Sequence, residues 1–480
     1  MKILQQQPKA LPFLFLTEMW ERFGFYVVQG MLVLYMSKFF GFTDSKSYTI
    51  MGVFSALAYI APFPGGFLAD RVLGFKAAII TGGIFLSAGY AMLSLPWTNE
   101  FYLSLATIVV GNGLFKPNVS SLLGSLYEPG DPQRESGFTL FYIGINLGVL
   151  LAGFSSGYVK DQYGWHAGFA LASAGLIFGV LIFISGFKYL AHIKNSAFVQ
   201  PQAKLKVKLL VVLGCLVSIG LISKLLQNEL LEKWLLPVAG ILLLIFLLVT
   251  TYKQQAEQRK GMLVLIALIL SSVIFWMIFL QLFFSANMFI DRLIDRQVAG
   301  FTIPTTAFYS LESIFVILLG PVFAWSWHTL SENMHNPSPF LKFILAIMFV
   351  GLGYLALSGS TYFYDKNFLV NPAWVVLSYF LITVGEMLLS PIGLSAITTL
   401  SPRKIVGMMM GIWFVALGFG GQFAGLLAKL SSVPDNATKL GALMIYRNAF
   451  MDYAWIAFGV SVGLFLLYLM VNKLLAEKSV

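Results

Sequence analysis

The sequence predicts an all-α integral membrane protein, and three observations support that class. Of its 480 residues, 58% are hydrophobic and only 11% are charged, whereas a soluble domain has about 25% charged residues. The apolar segments are continuous over roughly 20 residues, which is the length at which an α-helix crosses a bilayer. They lack the weak alternation of apolar and polar residues that is typical of membrane β-barrels.

Proline, glycine and charged loops divide the chain into about 14 transmembrane helices. The first six are expected near 11–37, 48–69, 77–96, 101–124, 137–159 and 166–188. Two follow a lysine-rich linker, near 207–226 and 234–252, and the last six lie near 262–290, 304–328, 340–360, 372–396, 404–429 and 450–472. This order predicts an N-terminal six-helix bundle over 1–190, a linker with two additional helices over 191–260, and a C-terminal six-helix bundle over 261–480.

The charged, cysteine and histidine residues narrow the function classes. The net charge is +10, but the Lys and Arg residues lie in short loops and favour the side of both termini, which predicts a cytoplasmic N-terminus rather than a nucleic-acid partner. The single Cys215 excludes an intrachain disulfide and a cysteine-based metal cluster. None of the four histidines forms a zinc-binding HExxH motif, so no metal or other cofactor is expected.

The first span contains three charged residues on one helix face, since Glu18, Glu21 and Arg22 are spaced at i, i+3 and i+4. Each charge costs on the order of 2.5–3.5 kcal/mol at the centre of a bilayer, so the three need partners or water. We therefore expect them to face a polar cavity inside a helix bundle. The alternative is a structural Glu18–Arg22 pair, with Glu21 reaching the membrane interface.

Three further spans of the first half carry polar residues. Lys116 in the fourth span precedes Pro117, which breaks the local hydrogen-bond ladder, and an intramembrane lysine must face a carboxylate, a carbonyl or water. Tyr142 and Asn146 share one face of the fifth span, and Tyr59 lies in the second. An alternative stays open for each of two residues. Lys116 could lie nearer the helix end and extend its ammonium to the membrane interface. Asn146 could serve only helix–helix hydrogen bonding.

The second half contributes two carboxylates and several polar or aromatic candidates. Glu312 lies in the eighth span and Glu386 in the tenth, with Ser390 one turn further on. The other candidates are Trp276 and Asn287 in the seventh span and Trp413 and Phe414 in the eleventh. The aromatic rings could equally fill the bundle core, and Glu312 could pair with a loop arginine.

The charges placed in the membrane do not balance. Four carboxylates and two cations leave an excess of −2, which a low-dielectric interior disfavours, so a carboxyl group takes up a proton or the site awaits a cation. This predicts a proton-titratable cavity that accepts an ammonium group. Because the cations lie in the first six helices and two of the anions in the last six, a zwitterion could contact both bundles, which is how a substrate can control alternating access.

The loop between the second and third spans, Gly66 to Lys76, resembles the cytoplasmic loop signature of major facilitator transporters. With two sets of six helices, this resemblance implies the major facilitator fold, in which two bundles rock about a site at the membrane midplane.

The chain as a whole resembles the proton-coupled oligopeptide transporter family. The motifs that carry the resemblance are Glu18-x-x-Glu21-Arg22-Phe23, Gly113 to Lys116, Phe141-Tyr142-x-x-Ile145-Asn146, and Glu386 with Ser390. The resemblance implies a symporter, not an enzyme, that imports di- and tripeptides with protons across the bacterial cytoplasmic membrane. It implies small peptides, protons and the lipid bilayer as partners, and we expect a monomer.

The resemblance also implies roles for individual residues. Glu18, Glu21 and Arg22 take part in proton coupling, Arg22 and Lys116 meet the peptide carboxylate, and Asn146 and Glu386 hold the amine. Side-chain pockets are shaped by Tyr26, Tyr59, Tyr142, Trp276, Trp413 and Phe414. The expected substrate-binding set is completed by Gln29, Asn287, Glu312 and Ser390.

Four positions depart from the family pattern, namely Phe25, Gln29, Leu280 and Glu312. Phe25 replaces a tyrosine, Gln29 and Leu280 replace a common Arg–Glu pair, and Glu312 replaces an amine-binding asparagine. These changes predict a weaker demand for a free C-terminal carboxylate and a preference for cationic or amine-rich ligands. They also leave open that the scaffold moves another solute, such as an amino acid, an amine or a drug-like compound. An intramembrane enzyme is disfavoured, because no nucleophile–base pair or metal triad is found within the spans.

Overall fold

The computed structural model describes residues 7–95, 100–128, 131, 133–190, 205–298, 300–332, 337–402 and 405–476. The first part of the predicted linker, 191–204, lies outside the described residues. Eleven described helices are long and apolar enough to cross a membrane, and all 14 predicted spans fall on helices. The predicted all-α membrane class is confirmed.

The first half of the chain forms eight helices in the described residues. They are α1 (Leu11–Lys38), α2 (Asp44–Ile60), α3 (Pro62–Leu68), α4 (Phe75–Leu93), α5 (Phe101–Gly124), α6 (Gln133–Tyr163), α7 (Trp165–Ser185) and the short α8 (Phe187–Leu190). The two additional helices are α9 (Leu205–Gln227) and α10 (Glu229–Tyr252).

The second half continues with helices of similar length. They are α11 (Ala256–Phe279), α12 (Ser285–Leu293), α13 (Ser310–Glu332), α14 (Pro339–Ser360), α15 (Ala373–Leu400), α16 (Val406–Ala428) and α17 (Lys439–Ala476). Between α12 and α13, strands β1 (Gln297–Val298) and β2 (Phe301–Thr302) form an antiparallel hairpin in which Gln297 pairs with Thr302 and Val298 with Phe301.

The second span is divided into two helices near its prolines. Helix α2 ends at Ile60, and Pro62 opens α3 at its first position, where the missing N–H of proline costs no hydrogen bond. A π-helical turn over Ala69–Leu73 follows and ends at Gly74, whose φ of 76° suits a glycine. In contrast, Pro117 and Pro391 lie inside the continuous helices α5 and α15.

The seventh span is broken, although the sequence predicts one continuous segment over 262–290. After α11, Leu280–Phe283 form a 3₁₀ turn, and Phe284 has φ −107° and ψ −102° before α12 begins. The Ser285 hydroxyl donates to Gln281 Oε1 at 2.7 Å across the break. No proline or glycine marks this position, so neither of the usual helix-breaking residues signals it.

The chain divides into two compact units, residues 1–35 with 53–233, and residues 36–52 with 234–480. In the first unit α4 and α5 pack closely because both contribute glycines: a Cβ on Gly82 would lie 2.7 Å from the Phe115 nitrogen. Helix α9 also packs on this unit, where Cys215 is buried beside Leu73 and Leu114.

The second unit has its core among α14, α15 and α17, where Tyr354, Tyr446, Phe450 and Tyr453 form a buried aromatic cluster. Helix α10 packs here too, since Gly240 faces the ring of Phe419 in α16. The two additional helices are therefore divided between the units. The predicted domain boundaries at 190 and 260 stay a prediction.

Candidate functional site

The charged residues of α1 form a compact buried cluster in the first unit. The Arg22 guanidinium donates to Glu21 through two hydrogen bonds, Nε to Oε2 at 2.5 Å and Nη2 to Oε1 at 2.7 Å. Glu18 Oε1 lies 3.5 Å from Arg22 Nε. Because a bidentate guanidinium–carboxylate pair is the stronger arrangement, Glu21 rather than Glu18 is the main partner of Arg22. All three residues are at most 3% exposed.

Asn112 of α5 links this cluster to the end of α2. Arg22 Nη2 lies 3.4 Å from Asn112 Oδ1, and the amide nitrogen of Asn112 donates to the Ala58 carbonyl at 2.6 Å. This carbonyl lies four residues before Pro62, which has no N–H to offer it. Asn112 thus satisfies an acceptor that the proline leaves open. The sequence analysis missed it, although it lies one turn before Lys116.

Lys116 contacts the same cluster from α5. Its Nζ lies 4.9 Å over the ring of Tyr59, and it interacts electrostatically with Glu18, Glu21 and Arg22. Among the described residues no carboxylate lies within 4 Å of its ammonium, and Glu18 Oε2 is buried without a hydrogen-bond partner. The cluster therefore contains two carboxylates and two cations. Lys116 Nζ and Glu18 Oε2 are the two groups in it that form no direct ion pair or hydrogen bond in the described chain.

The remaining candidates of the first unit differ in burial and in hydrogen bonding. Tyr26 interacts electrostatically with Arg22. Asn146 is 5% exposed and its amide donates to the Tyr142 carbonyl at 3.0 Å, whereas the Tyr142 side chain is 46% exposed. Gln29 is buried, and neither of its amide atoms has a hydrogen-bond partner in the described chain.

The acidic candidates of the second unit meet each other. Glu312 of α13 and Glu386 of α15 interact electrostatically with each other. The Ser313 hydroxyl donates to Glu312 Oε2 at 3.2 Å. Glu386 Oε2 and Ser390 Oγ are buried without a partner. Within the described ranges neither glutamate forms an ion pair with a lysine or arginine, so Glu312 does not have the loop-arginine partner that the sequence left open.

The aromatic candidates of the second unit lie mainly in helix packing. Trp276 contacts Phe275 and Phe279, and its indole nitrogen is buried without a partner. Trp413 lies against Gly393 and the ring of Phe343, and the neighbouring Phe414 is exposed. Asn287 is buried within α12.

A second ionic cluster in the second unit was not predicted. Arg292 Nη1 and Nη2 each donate to Asp44 at 2.7 Å, and Nη1 also donates to the Tyr446 hydroxyl at 3.0 Å. The Val433 N–H donates to Asp44 Oδ2 at 2.9 Å. Sequence reasoning treated Asp44 and Arg292 as loop charges, and no local spacing rule joins residues 248 positions apart.

The chain is similar to known peptide transporters. The model of the POT family matches residues 76–456. The chain is 35% identical to peptide transporter YePEPT of Yersinia enterocolitica, over 88% of this chain and 87% of the relative. It is 32% identical to dipeptide and tripeptide permease B of Salmonella typhimurium, over 98% of this chain and 97% of that one.

Solved structures extend the likeness to the fold. The crystal structure of peptide transporter POT in complex with sulfate has a TM-score of 0.84 at 32% identity and covers 98% of this chain and 96% of its own. Tetrameric PepTSo2 has a TM-score of 0.85 at 27% identity and covers 97% and 99%. The predicted major facilitator arrangement is confirmed, and the chain belongs to the POT family of membrane transporters.

Proposed function

We propose that this protein is a proton-coupled symporter that imports di- and tripeptides across the bacterial cytoplasmic membrane by alternating access. Both termini lie in the cytoplasm, one chain is the transport unit, and the proton is the only coupling ion. The relatives' names support the substrate class, since they are dipeptide and tripeptide permeases. A POT mutant solved in complex with alafosfalin supports it as well.

The buried Glu21–Arg22 pair is the observation that supports the coupling of proton uptake to peptide binding. When Glu21 takes up a proton, its carboxyl group loses the charge that holds the guanidinium. Arg22 then needs another anion, because an unpaired buried charge is costly. A peptide carboxylate supplies it, with Lys116 as the second cation, so protonation and peptide binding favour each other.

The second unit contains a candidate binding site for the amine of a peptide. Glu312 and Glu386 are acceptors for an ammonium group, and no lysine or arginine of the described chain occupies them. Each unit, taken by itself, therefore contains charges opposite to one terminus of a zwitterionic peptide. This charge complementarity gives selectivity for free peptides over uncharged solutes.

The test is uptake of labelled dialanine by reconstituted vesicles, with and without an inward acid gradient. We expect accumulation only with the gradient. Glu21→Gln should abolish gradient-driven accumulation and leave counterflow partly intact, because the amide cannot exchange a proton yet still lets the carrier move. Unchanged concentrative uptake by Glu21→Gln would contradict the proton role of that residue.

A second candidate is transport of an amine or amino acid by the same scaffold. The observation that favours it is the anionic Glu312–Glu386 pair, combined with Gln29 and Leu280 where charged residues are common in the family. A thermal-shift panel of dipeptides, amino acids and amines separates the two, because a bound ligand stabilises the folded state in proportion to its occupancy. Stabilisation by amines but not by peptides would select this candidate.

A further inference from the structure

The hairpin between α12 and α13 has two chemically different faces. Its register places Val298 opposite Phe301 and Gln297 opposite Thr302. Directly opposed residues of an antiparallel pair project to the same face of the strands, and successive residues project to opposite faces. One face of the hairpin therefore presents an aliphatic and an aromatic side chain, and the other presents an amide and a hydroxyl group.

The polar face is hydrogen-bonded within the hairpin, whereas the apolar face is uncovered. The Gln297 amide donates to the Thr302 hydroxyl at 2.6 Å. Phe301 is 77% exposed and Val298 is 42% exposed. A hairpin of two short strands has no core in which to bury these side chains, so an apolar environment for them must come from outside the hairpin.

The base of the hairpin is held to the rest of the second unit. The Ile303 N–H donates to the Arg296 carbonyl at 2.8 Å, and Arg296 Nη1 donates to the Ile303 carbonyl at 3.1 Å. The Asp295 N–H donates to the Val370 carbonyl at 2.9 Å, and the Val370 N–H donates to the Leu293 carbonyl at 2.8 Å. The loop between α14 and α15, which contains Val370, therefore supports the hairpin.

The hairpin lies close to the ends of two membrane spans. It joins the spans Gln258–Leu293 and Thr305–Leu330. Val298 comes five residues after the first span and Phe301 four residues before the second, so each is within roughly 17 Å of a span end even in a fully extended chain. The headgroup layer of a bilayer is about 5–7 Å thick on each side. A hairpin that lies along the membrane surface therefore brings both side chains to this layer.

The supporting loop has exposed aromatic residues of its own. Tyr362, Phe363 and Tyr364 follow the end of α14 and are exposed. The Phe363 ring stacks on Trp374 near the start of α15, with the ring centroids 5.6 Å apart. Tyr364 forms a β-bridge with Val370, the residue that holds the hairpin base. Because tyrosine and tryptophan are enriched where membrane helices meet the headgroups, the composition of this loop is typical of a membrane–water interface.

We propose that the β1–β2 hairpin anchors the second unit in the membrane interface. Its apolar face, Val298 and Phe301, enters the boundary between the headgroups and the acyl chains, while its polar face, Gln297 and Thr302, is turned to water. The partner is the phospholipid surface, because the hairpin directly joins two membrane spans and is supported by a loop of interfacial composition. The anchor fixes the depth of this end of the second unit, whichever solute the protein moves.

Electron paramagnetic resonance measures the two faces separately. Cys215 is the only cysteine in the sequence, so Cys215→Ala provides a cysteine-free background. In this background Val298→Cys, Phe301→Cys, Gln297→Cys and Thr302→Cys are labelled with one nitroxide and reconstituted into phosphatidylcholine vesicles. Oxygen concentrates among the acyl chains, whereas a nickel chelate stays in water. We expect the ratio of the oxygen and nickel collision rates to be several-fold higher at positions 298 and 301 than at positions 297 and 302.

The label is the same on both faces, so its own preference for lipid cancels in the comparison. Equal ratios at the four positions would overturn the proposal, because the two faces of the hairpin would then have the same surroundings. Low collision rates with both reagents at Phe301→Cys would also overturn it, because they indicate that protein covers the apolar face. Spin–spin broadening that disappears when the protein is diluted with lipid would identify that cover as a second copy of the chain.

A second measurement keeps the native cysteine, so it decides even if Cys215→Ala does not fold. Phe301→Trp and Thr302→Trp each add one indole, on the apolar and on the polar face. The fluorescence that each variant gains over the wild type is measured in vesicles with and without lipid brominated near the headgroup end of its acyl chains. We expect bromine to quench most of the gain of Phe301→Trp and little of that of Thr302→Trp. Equal quenching of the two gains would refute the insertion of the apolar face.

Discussion

At the scale of single residues, the structure of the first unit shows that Glu21 is the main partner of Arg22. Neighbouring residues of a helix usually point in different directions, yet Glu21 forms the bidentate pair while Glu18, one turn away, is at 3.5 Å. Glu18 therefore keeps one oxygen free for Lys116 or for a proton. On this helix face, Glu21 thus pairs with Arg22, while Glu18 has an oxygen available for another partner.

Asn112 provides the first prediction at this scale. Replacing it by Leu leaves the Ala58 carbonyl and Arg22 each without one hydrogen bond. An unsatisfied buried acceptor costs about 1–3 kcal/mol, so we expect Asn112→Leu to lower gradient-driven uptake roughly tenfold and to reduce the unfolding temperature. Vesicle uptake and thermal unfolding in detergent measure the two effects.

The matched control is Asn118→Leu on the same helix. Its amide donates only to the Leu114 carbonyl of its own helix in the described structure, at 2.6 Å. We expect uptake close to the wild type. A loss as large as that of Asn112→Leu would mean that buried amides of α5 stabilise the helix in general, with no special link to Arg22.

The sequence located the charged residues correctly but not their pairings. Helical spacing places Glu18, Glu21 and Arg22 on one face, and burial cost requires partners for them. The side-chain rotamers then decide between Glu18 and Glu21, and rotamers follow from packing against other helices. Asn112 and Asp44 were missed for the same reason, because their partners come from distant parts of the chain.

At the scale of helices, close approach depends on particular glycines. Gly65 of α3 lies directly against Gly113 of α5, and a Cβ at position 65 would be 1.9 Å from the Gly113 carbonyl oxygen. This carbonyl lies four residues before Pro117, so it lacks its usual helical donor. The backbones of α3 and α5 are therefore in direct contact close to Pro62 and Pro117.

Gly65→Ala tests this contact. The added methyl group meets a backbone atom that cannot rotate away, so α3 and α5 must separate, at a cost of about 1–3 kcal/mol or more. We expect the unfolding temperature in detergent to fall by several degrees. Gly66→Ala is the control, since its Cβ would lie an ordinary 3.6 Å from Pro117. Equal unfolding temperatures for the two variants would contradict the close packing.

The observed helix ends show which boundaries the sequence patterns predict correctly. The fourth span, predicted at 101–124, is α5 as found, because a continuous apolar run with clear flanks defines it. The break at Leu280–Phe283 was not predicted, since the segment contains neither proline nor glycine. Its stability comes from tertiary hydrogen bonds, such as Gln281 Nε2 to the Ala424 carbonyl at 2.8 Å.

At the scale of the whole molecule, the packing units do not follow chain order. Residues 36–52, which include the end of α1 and the start of α2, belong to the second unit. Asp44, Arg292 and Tyr446 connect three distant parts of the chain there. The salt bridge of Lys38 with Asp291, at 2.5 Å, adds a second connection.

A double-mutant cycle measures the strength of this connection. Removing only Asp44, as in Asp44→Ala, leaves the half-buried charge of Arg292 without its bidentate partner, so we expect the unfolding temperature to fall. The double variant Asp44→Ala with Arg292→Met removes both charges, so we expect it to unfold at a higher temperature than Asp44→Ala alone. Asp161→Ala, in a more exposed pair with Lys160, should have little effect. Additive losses would show that the pair has no coupling energy.

The distribution of charge between the units leads to the last prediction. In the first unit, Arg22 and Lys116 already offset the negative charges of Glu18 and Glu21. A substrate carboxylate therefore gains a cationic partner only when Glu21 is protonated and releases Arg22. In the second unit, Glu312 and Glu386 have no lysine or arginine paired with them in the described residues. The amine end of a peptide should therefore contribute more to recognition than the carboxylate end, and a second amine should add to it.

Uptake of four dipeptide derivatives by reconstituted vesicles tests this order. We expect N-acetylation of dialanine to reduce uptake more than C-terminal amidation, because acetylation removes the ammonium group that Glu312 and Glu386 are proposed to bind. Lysyl-alanine should compete better than dialanine, since its side chain carries a second ammonium group. In Glu386→Gln the difference between the acetylated and amidated forms should shrink, as one of the two acceptors is lost. Strong rejection of the amide, equal to that of the acetylated peptide, would mean that the first unit recognises the carboxylate as strongly as the second recognises the amine.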